Sequence, residues 1–286
     1  MREFDLRTAY LARLGLDPEP PSAAALGRLH RAHVERVPWE TLWIQCGDVW
    51  NTDPTESARR ITTSGRGGYC FHLNGGFSWL LDDLGYDVRR HVGGVHGPDG
   101  PTEAEMTNHL VLTVHGLPAA GNDVGTWYVD VGLGDALHDP LPLRAGEHAV
   151  GPLAVVLERL STGGEWHLRH HARGAFTGMA WRDATTTMDA FDDRHEWLST
   201  APESRFVKYL CVQRRDALGA DLLRGLHLER VGEPARPSRT LTSETDLFDA
   251  LAEVFGIDVE AIPAATRHRV WSRADTAHRA WVGGTA

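Results

Sequence analysis

Three side chains in this sequence are of the types that together perform nucleophilic catalysis, namely Cys70, His109 and Asp130. A cysteine nucleophile needs a base that takes its proton and a third group that orients the base. His109 opens an apolar segment typical of a strand, and Asp130 lies between two valines in another such segment. Because a buried aspartate is costly unless it is paired, His109 is its natural partner if the two strands are neighbours. The pattern predicts a site of the papain type.

The segment around Cys70 predicts where this residue lies in its element. Gly67 and Gly68 precede it, and glycines allow the backbone to turn sharply into a helix. The apolar residues that follow have the spacing of one helix face: Leu73, Phe77, Leu80, Leu81 and Leu84. Gly85 stands where a C-terminal cap is expected. Cys70 would then lie in the first turn of a helix, where unpaired N–H groups and the helix dipole favour a thiolate.

Each of these three residues also has an interpretation without chemistry. A single cysteine on a helix is commonly a small buried apolar residue. His109 is compatible with a surface residue at a strand end, and Asp130 with a charge on an edge strand. The chain contains 16 histidines, so their number selects no particular base. From the residues alone, both interpretations remain open.

The composition argues against several classes of protein. A formal net charge of -10 is unfavourable for a general nucleic-acid binder, because neutralising phosphates requires a basic surface. We expect no membrane span, because no uninterrupted apolar run approaches the roughly 18 residues that one needs. The three cysteines are few and odd in number, and no signal peptide is visible, so no disulfide framework is expected. They form no Cys-x-x-Cys pair, so no structural zinc site is expected. With no apolar signal segment after Met1, the expected location is cytoplasmic.

Hydrophobic patterns divide the chain into a helical first part and a strand-rich remainder. Within the first 85 residues, Ser22 is predicted to cap a helix that runs to about Arg36. Strands are predicted in the segments that are short and β-branched or aromatic: 88–95, 109–114, 127–131, 153–157, 166–170, 178–181, 206–212 and 222–231. Strands at this spacing suggest a small barrel or sandwich. Residues 243–255 have the cap and the apolar face of a helix.

The motif Arg-Gly-Gly-Tyr-Cys-Phe-x-x-Asn at residues 66–74 resembles the signature of the arylamine N-acetyltransferases. Four further segments are similar to motifs of that family and occur in the same order. They are Leu-His-x-x-His followed by Val-Pro-Trp-Glu-x-Leu within 29–42, Asn-His-Leu-Val-Leu at 108–112, Val-Asp-Val-Gly-Leu-Gly at 129–134, and the region 204–214. Agreement at five separated motifs is not expected by chance.

The resemblance implies an α+β fold with three domains. The family has a helical domain, a β-barrel domain and an α/β lid, which correspond here to residues 1–85, 86–195 and 196–286. Its papain-like Cys-His-Asp site lies where the first two domains meet.

The resemblance also implies a reaction. Cys70, His109 and Asp130 would form the catalytic triad, and the Cys70 thiolate would take an acyl group from coenzyme A and pass it to an amine. The implied partners are an acyl-CoA co-substrate and a small-molecule amine, with no permanently bound cofactor. Gly132 and Gly134 would allow pantetheine or pyrophosphate to approach the backbone, although turn glycines are the simpler interpretation.

Other matched positions suggest supporting and substrate-binding residues. The family suggests that Arg66 pairs with Glu40, and a buried pair of this kind would hold the glycine turn in place. By the same resemblance, the acceptor would contact Trp39, Phe71 and Leu133.

Departures from the family pattern leave the acceptor open. Leu133 and Trp39 stand where the family commonly has Phe, and Thr41 stands in place of Asn. His72 replaces Glu or Gln, and we interpret it as structural, because a residue two positions after Cys70 on a helix points to a different face. The leading interpretation is acetyl transfer from acetyl-CoA to aromatic amines or hydrazines. The alternatives are an amide synthase that uses a longer acyl chain or an acyl carrier protein thioester, and a degenerate homologue without activity.

Overall fold

The computed structural model describes residues 5–100, 102–103, 105–151, 153–160 and 165–283. The first residues of the chain, on which the expectation about a signal segment rests, lie outside this description. The α-helices are α1 (Leu6–Leu14), α2 (Ala23–Arg36), α3 (Leu42–Cys46), α4 (Pro54–Ser64), α5 (Cys70–Asp83), α6 (Asp192–Thr200), α7 (Arg205–Lys208), α8 (Glu244–Glu253) and α9 (Ala264–Val282). The strands are β1 (Trp39–Glu40), β2 (Asp87–His96), β3 (His109–His115), β4 (Trp127–Val129), β5 (Leu141–Pro142), β6 (Gly146–Val150), β7 (Leu153–Leu160), β8 (Glu165–Arg169), β9 (Gly178–Thr185), β10 (Cys211–Arg215), β11 (Gly219–Arg224), β12 (His227–Gly232) and β13 (Arg239–Thr240).

Local capping explains where the helices of the first part begin and end. The Ser22 hydroxyl accepts a hydrogen bond from the N–H of Ala25 at 3.1 Å and starts α2 at the predicted position. Helix α5 begins at Cys70, and Gly85 follows its C-terminal end with a φ of 88°, a value that glycine tolerates best.

An eight-stranded antiparallel sheet follows the helices, in the order β5-β4-β3-β2-β9-β8-β7-β6. Its two end strands are also close in sequence, so the sheet curls into a nearly closed barrel. In the register of β3 and β4, Leu112 lies opposite Val129. The start of β3 and the loop after β4 are therefore at the same end of the barrel.

The last part of the chain forms a five-stranded sheet in the order β1-β10-β11-β12-β13, packed against α8 and α9. Its edge strand β1 comes from the first part of the chain, with Trp39 opposite Gln213. A boundary at residue 195 would fall inside α6. The division into three domains remains a proposal.

Two strand predictions in this last part are wrong. Residues 206–212 do not form one strand, because α7 occupies the first of them and β10 begins only at Cys211. Ser204 caps α7 by accepting a hydrogen bond from the N–H of Phe206 at 3.2 Å. The segment 222–231 is a hairpin of β11 and β12 instead of one strand. A glycine between them, Gly225, has a φ of 58° and reverses the chain.

The predicted strand around Asp130 is also too long. Strand β4 ends at Val129, and Asp130 lies in the loop that follows. The N–H of Gly132 donates a hydrogen bond to the Oδ1 atom of Asp130 at 2.9 Å, which turns the backbone out of the ladder.

The helices of the first part share a hydrophobic core with one face of the barrel sheet. Helix α5 packs against β2 and β3, and the same buried cluster contains Cys70, Leu110 and Val129. The α+β class of the prediction, with a helical part, a barrel sheet and a C-terminal α/β part, is confirmed. Within the described ranges, no helix combines the length and the apolar character needed to cross a membrane.

Candidate active site

Cys70 is the first residue of α5 and is 6% exposed. The turn before it needs its glycines. A Cβ on Gly67 would lie 2.0 Å from the carbonyl oxygen of Pro38, and Gly68 has a φ of 76°. The Cys70 sulfur lies 3.5 Å from the carbonyl oxygen of Asn108, directly before β3. The turn therefore places the cysteine against the start of the strand that contains His109.

A buried ion pair supports this turn. Arg66 Nε lies 3.0 Å from Oε1 of Glu40, and Arg66 Nη2 lies 3.2 Å from Oε2. The Glu40 side chain is fully buried and also accepts a hydrogen bond from the N–H of Trp43 at 3.2 Å. The Arg66–Glu40 contact thus connects the turn before α5 to the start of α3.

His109 and Asp130 lie next to each other at this end of the barrel. Nε2 of His109 is 2.7 Å from Oδ2 of Asp130, and both side chains are almost completely buried. With Nε2 directed at the carboxylate, Nδ1 is the ring nitrogen left for Cys70, whose sulfur helps to raise the pKa of this ring. The structure therefore brings together all three residues of the predicted triad.

The charge of His109 follows from its neighbours. Burial alone would lower the pKa of its imidazole, but Asp130 and the Cys70 sulfur outweigh burial and raise the pKa to about 10. His109 is therefore protonated near neutral pH when Cys70 is a thiolate.

The Asp130 carboxylate is held by more than His109. It accepts hydrogen bonds from the Tyr128 hydroxyl at 2.8 Å, the Asn74 amide at 2.8 Å and the Gly132 N–H at 2.9 Å. Burial favours its neutral form, but His109 and these donors lower the pKa of Asp130 below its ordinary value. The carboxylate is thus charged and fixed in orientation.

A second histidine, His30, contacts the backbone of Asp130. Its Nε2 is 3.1 Å from the backbone oxygen of Asp130, and its Nδ1 is 3.0 Å from the carbonyl oxygen of His138. Burial lowers the pKa of His30 to about 4, so the ring is neutral. Sequence reasoning noted His30 only as part of a motif, and nothing in its spacing signals a contact with residues a hundred positions away.

The Cys70–His109 pair opens onto a cavity of about 250 Å³ between the helical part, the barrel and the C-terminal sheet. Its walls are mostly apolar, with two arginines among the lining residues. These residues are Trp39, Cys70, Val95, Asn108, His109, Gly132, Leu133, Ala175, Phe176, Leu198, Arg205, Phe206, Cys211, Gln213 and Arg224.

Only some of the residues predicted to contact the substrate and the coenzyme line this cavity. Trp39, Leu133 and Gly132 line it. Phe71 does not, because its fully buried ring packs on other aromatic rings in the core behind Cys70. Gly134 is not among the lining residues either. It packs behind one of them, and a Cβ on Gly134 would lie 1.8 Å from Oε1 of Gln213 on β10.

Gly132 has a positional role that its sequence context did not reveal. A Cβ on Gly132 would lie 2.8 Å from the Cα of Cys70 and 2.9 Å from Nδ2 of Asn74. The lack of a side chain therefore lets the loop after β4 approach the first turn of α5.

His72 faces away from the cavity. Its Nδ1 accepts a hydrogen bond from the N–H of Tyr69 at 3.3 Å, and its ring contacts Trp43 and Trp50 edge-on. Burial lowers the pKa of His72 well below its ordinary value. The contacts are those of a neutral residue that caps α5, in agreement with the structural interpretation.

Several lining residues were not predicted as site residues. Arg205 and Phe206 belong to the matched segment 204–214, so the resemblance contained a signal for them. Phe176 comes from the turn between β8 and β9, which has no periodic pattern, and sequence reasoning missed it. Among the described residues, no group of three or more His, Cys, Asp or Glu side chains is arranged to bind a metal ion.

The chain is similar to known proteins along most of its length. A family model described as N-acetyltransferase matches residues 22–264. The arylamine N-acetyltransferase of Mycolicibacterium smegmatis is 30% identical over 259 residues, which cover 87% of this chain and 91% of the relative. An arylamine N-acetyltransferase / N-hydroxyarylamine O-acetyltransferase of Salmonella typhimurium is 29% identical over 274 residues, or 89% of each chain.

Solved structures show the same similarity. The structure of the M. smegmatis enzyme has a TM-score of 0.82 and 28% identity, and covers 94% of this chain and 98% of its own. The Mycobacterium marinum arylamine N-acetyltransferase in complex with CoA also has a TM-score of 0.82 and 28% identity, with 96% and 99% covered.

Proposed function

This chain belongs to the N-acetyltransferase family of the arylamine N-acetyltransferases, and we propose that it moves an acetyl group from acetyl-CoA to an amine through a thioester on Cys70. The observation that supports this most directly is the contact of Cys70 with a buried, protonated His109 that is held by Asp130. A thiolate beside an imidazolium is nucleophilic at neutral pH.

In the first half of the reaction, the Cys70 thiolate attacks the thioester carbonyl of acetyl-CoA. The C–S bond to Cys70 forms, and the C–S bond to coenzyme A breaks. The protonated His109 gives its proton to the departing coenzyme A thiolate. The N–H of Cys70, at the N-terminus of α5, can stabilise the oxyanion of the tetrahedral intermediate.

In the second half, the amine nitrogen attacks the acetyl carbon on Cys70. The now neutral His109 takes a proton from the amine, and the Cys70 thiolate leaves. Asp130 keeps Nδ1 of His109 directed at the reacting atoms by binding Nε2. The amide product is released, and the thiolate–imidazolium pair is restored.

The lining of the cavity supports an aromatic acceptor and an anionic donor. Trp39 and Phe206 meet edge to face with ring centroids 5.4 Å apart, and such walls favour another ring. Arg205 adds positive charge to the same cavity, and Arg224 also lines it while paired with Glu229 at 3.4 Å. Arginine side chains of this kind suit the phosphates of coenzyme A. The M. marinum relative in complex with CoA supports the same donor.

Steady-state kinetics with two substrates test this proposal. With acetyl-CoA and a panel of arylamines and hydrazines, we expect coenzyme A release to depend on the amine and double-reciprocal plots to be parallel. Intersecting plots would contradict a thioester intermediate. Turnover with longer acyl-CoA or carrier-protein thioesters, but none with acetyl-CoA, would favour the amide synthase instead.

A further inference from the structure

The turn between β8 and β9 places the ring of Phe176 at the cavity onto which Cys70 and His109 open. Phe176 lines the cavity together with Leu133, which offers an apolar but not an aromatic wall. Phe176 is only half-buried and packs against the hydrophobic core of the barrel with one side. Its position is set by the turn that contains it.

The turn is built around the ring of His170. The N–H of His170 donates to the carbonyl oxygen of Thr177 at 2.9 Å and closes the turn at its base. A Cβ on Gly174 would lie 2.1 Å from the His170 ring, so this glycine lets the backbone pass directly over it. The ring of Phe176 stacks on the His170 ring, with centroids 4.3 Å apart and an angle of 22° between the planes.

The buried carboxylate of Asp135 connects this turn to the segment of the cavity wall that contains Leu133. Oδ2 of Asp135 accepts a hydrogen bond from the N–H of Ala175 at 2.7 Å. The Oδ1 atom of Asp135 lies 3.3 Å from Nε2 of His170, and both side chains are at least 98% buried. These two atoms are not aligned for a hydrogen bond. The N–H of Asp135 donates to the carbonyl oxygen of Leu133 at 2.7 Å. Asp135 thus holds the segments of Leu133 and Phe176 in one arrangement.

We propose that Phe176 is a specificity-determining residue, which stacks against the ring of an arylamine acceptor and is positioned by His170 and Asp135. This inference rests on the proposed function and names one residue that selects the acceptor. An offset or edge-on ring pair favours an aromatic ligand over an aliphatic one of similar size by roughly two- to tenfold. Phe176 therefore supplies the aromatic wall that Leu133 does not.

The test compares acceptors with the variant Phe176→Leu, which removes the ring and keeps an apolar side chain. We expect the kcat/KM for 4-chloroaniline to fall about tenfold, mainly through KM, while that for hydrazine changes less than about twofold. The rate of acetyl-enzyme formation from acetyl-CoA should fall less than the turnover of 4-chloroaniline, because that step needs no aromatic acceptor. His170→Ala should shift the same ratio in the same direction.

A second substitution separates lost stacking from general damage. Adding Leu133→Phe to Phe176→Leu places a ring on the other wall and should restore the preference for 4-chloroaniline. Arg173→Ala, on the exposed part of the same turn, is the matched control and should leave the ratio between the two acceptors unchanged. An unchanged ratio in Phe176→Leu, with the wild-type melting temperature, would overturn the inference.

The test remains informative if the proposed function fails. If acetyl-CoA does not acylate the wild-type protein, equilibrium binding of 4-chloroaniline, followed by tryptophan fluorescence, replaces turnover. Weaker binding to Phe176→Leu than to the wild type would support the inference. Equal binding, or binding to neither protein, would overturn it.

Discussion

At the scale of single residues, Asp130 has several hydrogen-bond partners besides His109. Tyr128, Asn74 and Gly132 donate to the same carboxylate, and His30 contacts its backbone. These contacts fix the direction of the Asp130 oxygens, and through them the orientation of the His109 ring. A ring that is already oriented loses no further entropy when the substrate binds.

The raised pKa of His109 makes the stability of the protein depend on pH. The pKa changes from an ordinary value of 6.5 to about 10 in the folded protein, so the contribution of charged His109 to stability is complete below about pH 6.5. It is lost as the pH rises through about 10. The excess unfolding free energy of the wild type over His109→Gln should therefore be largest near pH 6 and shrink towards pH 10.

Urea unfolding at a series of pH values measures this excess. His268→Gln removes a histidine whose side chain is 72% exposed, and this control should differ little from the wild type at every pH. An excess that grows between about pH 7 and pH 10 would contradict the assignment of the charge to His109.

Local signatures in the sequence made the three triad residues candidates, and the resemblance to a known family favoured them over the interpretations without chemistry. Cys70 follows two glycines, His109 opens an apolar strand, and Asp130 stands between valines. Sequence reasoning did not find His30 and Tyr128 as partners of Asp130. Their contacts depend on how α2 and β4 pack, and a single sequence contains no spacing rule for such contacts.

At the scale of elements, the turn before α5 determines where the nucleophile lies. The glycines allow the backbone geometry, but the ion pair of Arg66 and Glu40 ties the turn to α3. Removing one partner leaves a buried charge without compensation.

Glu40→Gln should lower the unfolding free energy by roughly 3 to 5 kcal/mol, because Arg66 would remain buried without a counter-charge. Chemical denaturation measures this loss. The matched control is Asp183→Asn, which breaks the exposed pair with Arg159 and should cost less than about 1 kcal/mol. Equal losses in the two variants would show that the Arg66–Glu40 pair has no special role.

Helices with a clear cap or a long run of periodically spaced apolar residues were predictable, and short elements were not. Ser22 and Gly85 mark the limits of α2 and α5 correctly. The segment 206–212 was misassigned, because one helical turn followed by a strand cannot be told from a single strand by apolar spacing. The turn that contains Phe176 has no repeated pattern at all.

At the scale of the whole molecule, one buried arginine connects the barrel to the C-terminal sheet. Arg215 Nη2 donates to the carbonyl oxygen of Val150 on β6 at 3.0 Å, and Nη1 donates to that of Gly219 on β11 at 2.8 Å. Burial lowers the pKa of Arg215. Because the C-terminal sheet lines the active-site cavity, this contact also helps to set the shape of the cavity.

Arg215→Met should therefore weaken the contact between the two sheets. We expect a loss of about 2 kcal/mol in unfolding free energy, since buried carbonyl groups lose their donors. We also expect faster hydrogen exchange in the segments 146–150 and 219–224. Arg89→Met, at an exposed position on β2, is the control and should change neither quantity. Faster exchange confined to one of the two segments would contradict a connecting role.

The overall fold was predictable mainly because five separated motifs occur in the order of a known family. Local patterns alone indicated helices followed by strands, and a small barrel or sandwich. They did not indicate that β1, from residues far earlier in the chain, would pair with β10. Such a pairing depends on the arrangement of the whole chain.

The most direct test of the central claim is the intact mass of the protein after incubation with acetyl-CoA and no amine. We expect a gain of one acetyl group, lost in Cys70→Ala and retained in Cys46→Ala, since burial raises the pKa of Cys46 to about 11 and keeps that thiol protonated. Addition of an arylamine should then return the original mass. No gain in the wild type, or a gain that persists in Cys70→Ala, would contradict an acyl-enzyme on Cys70.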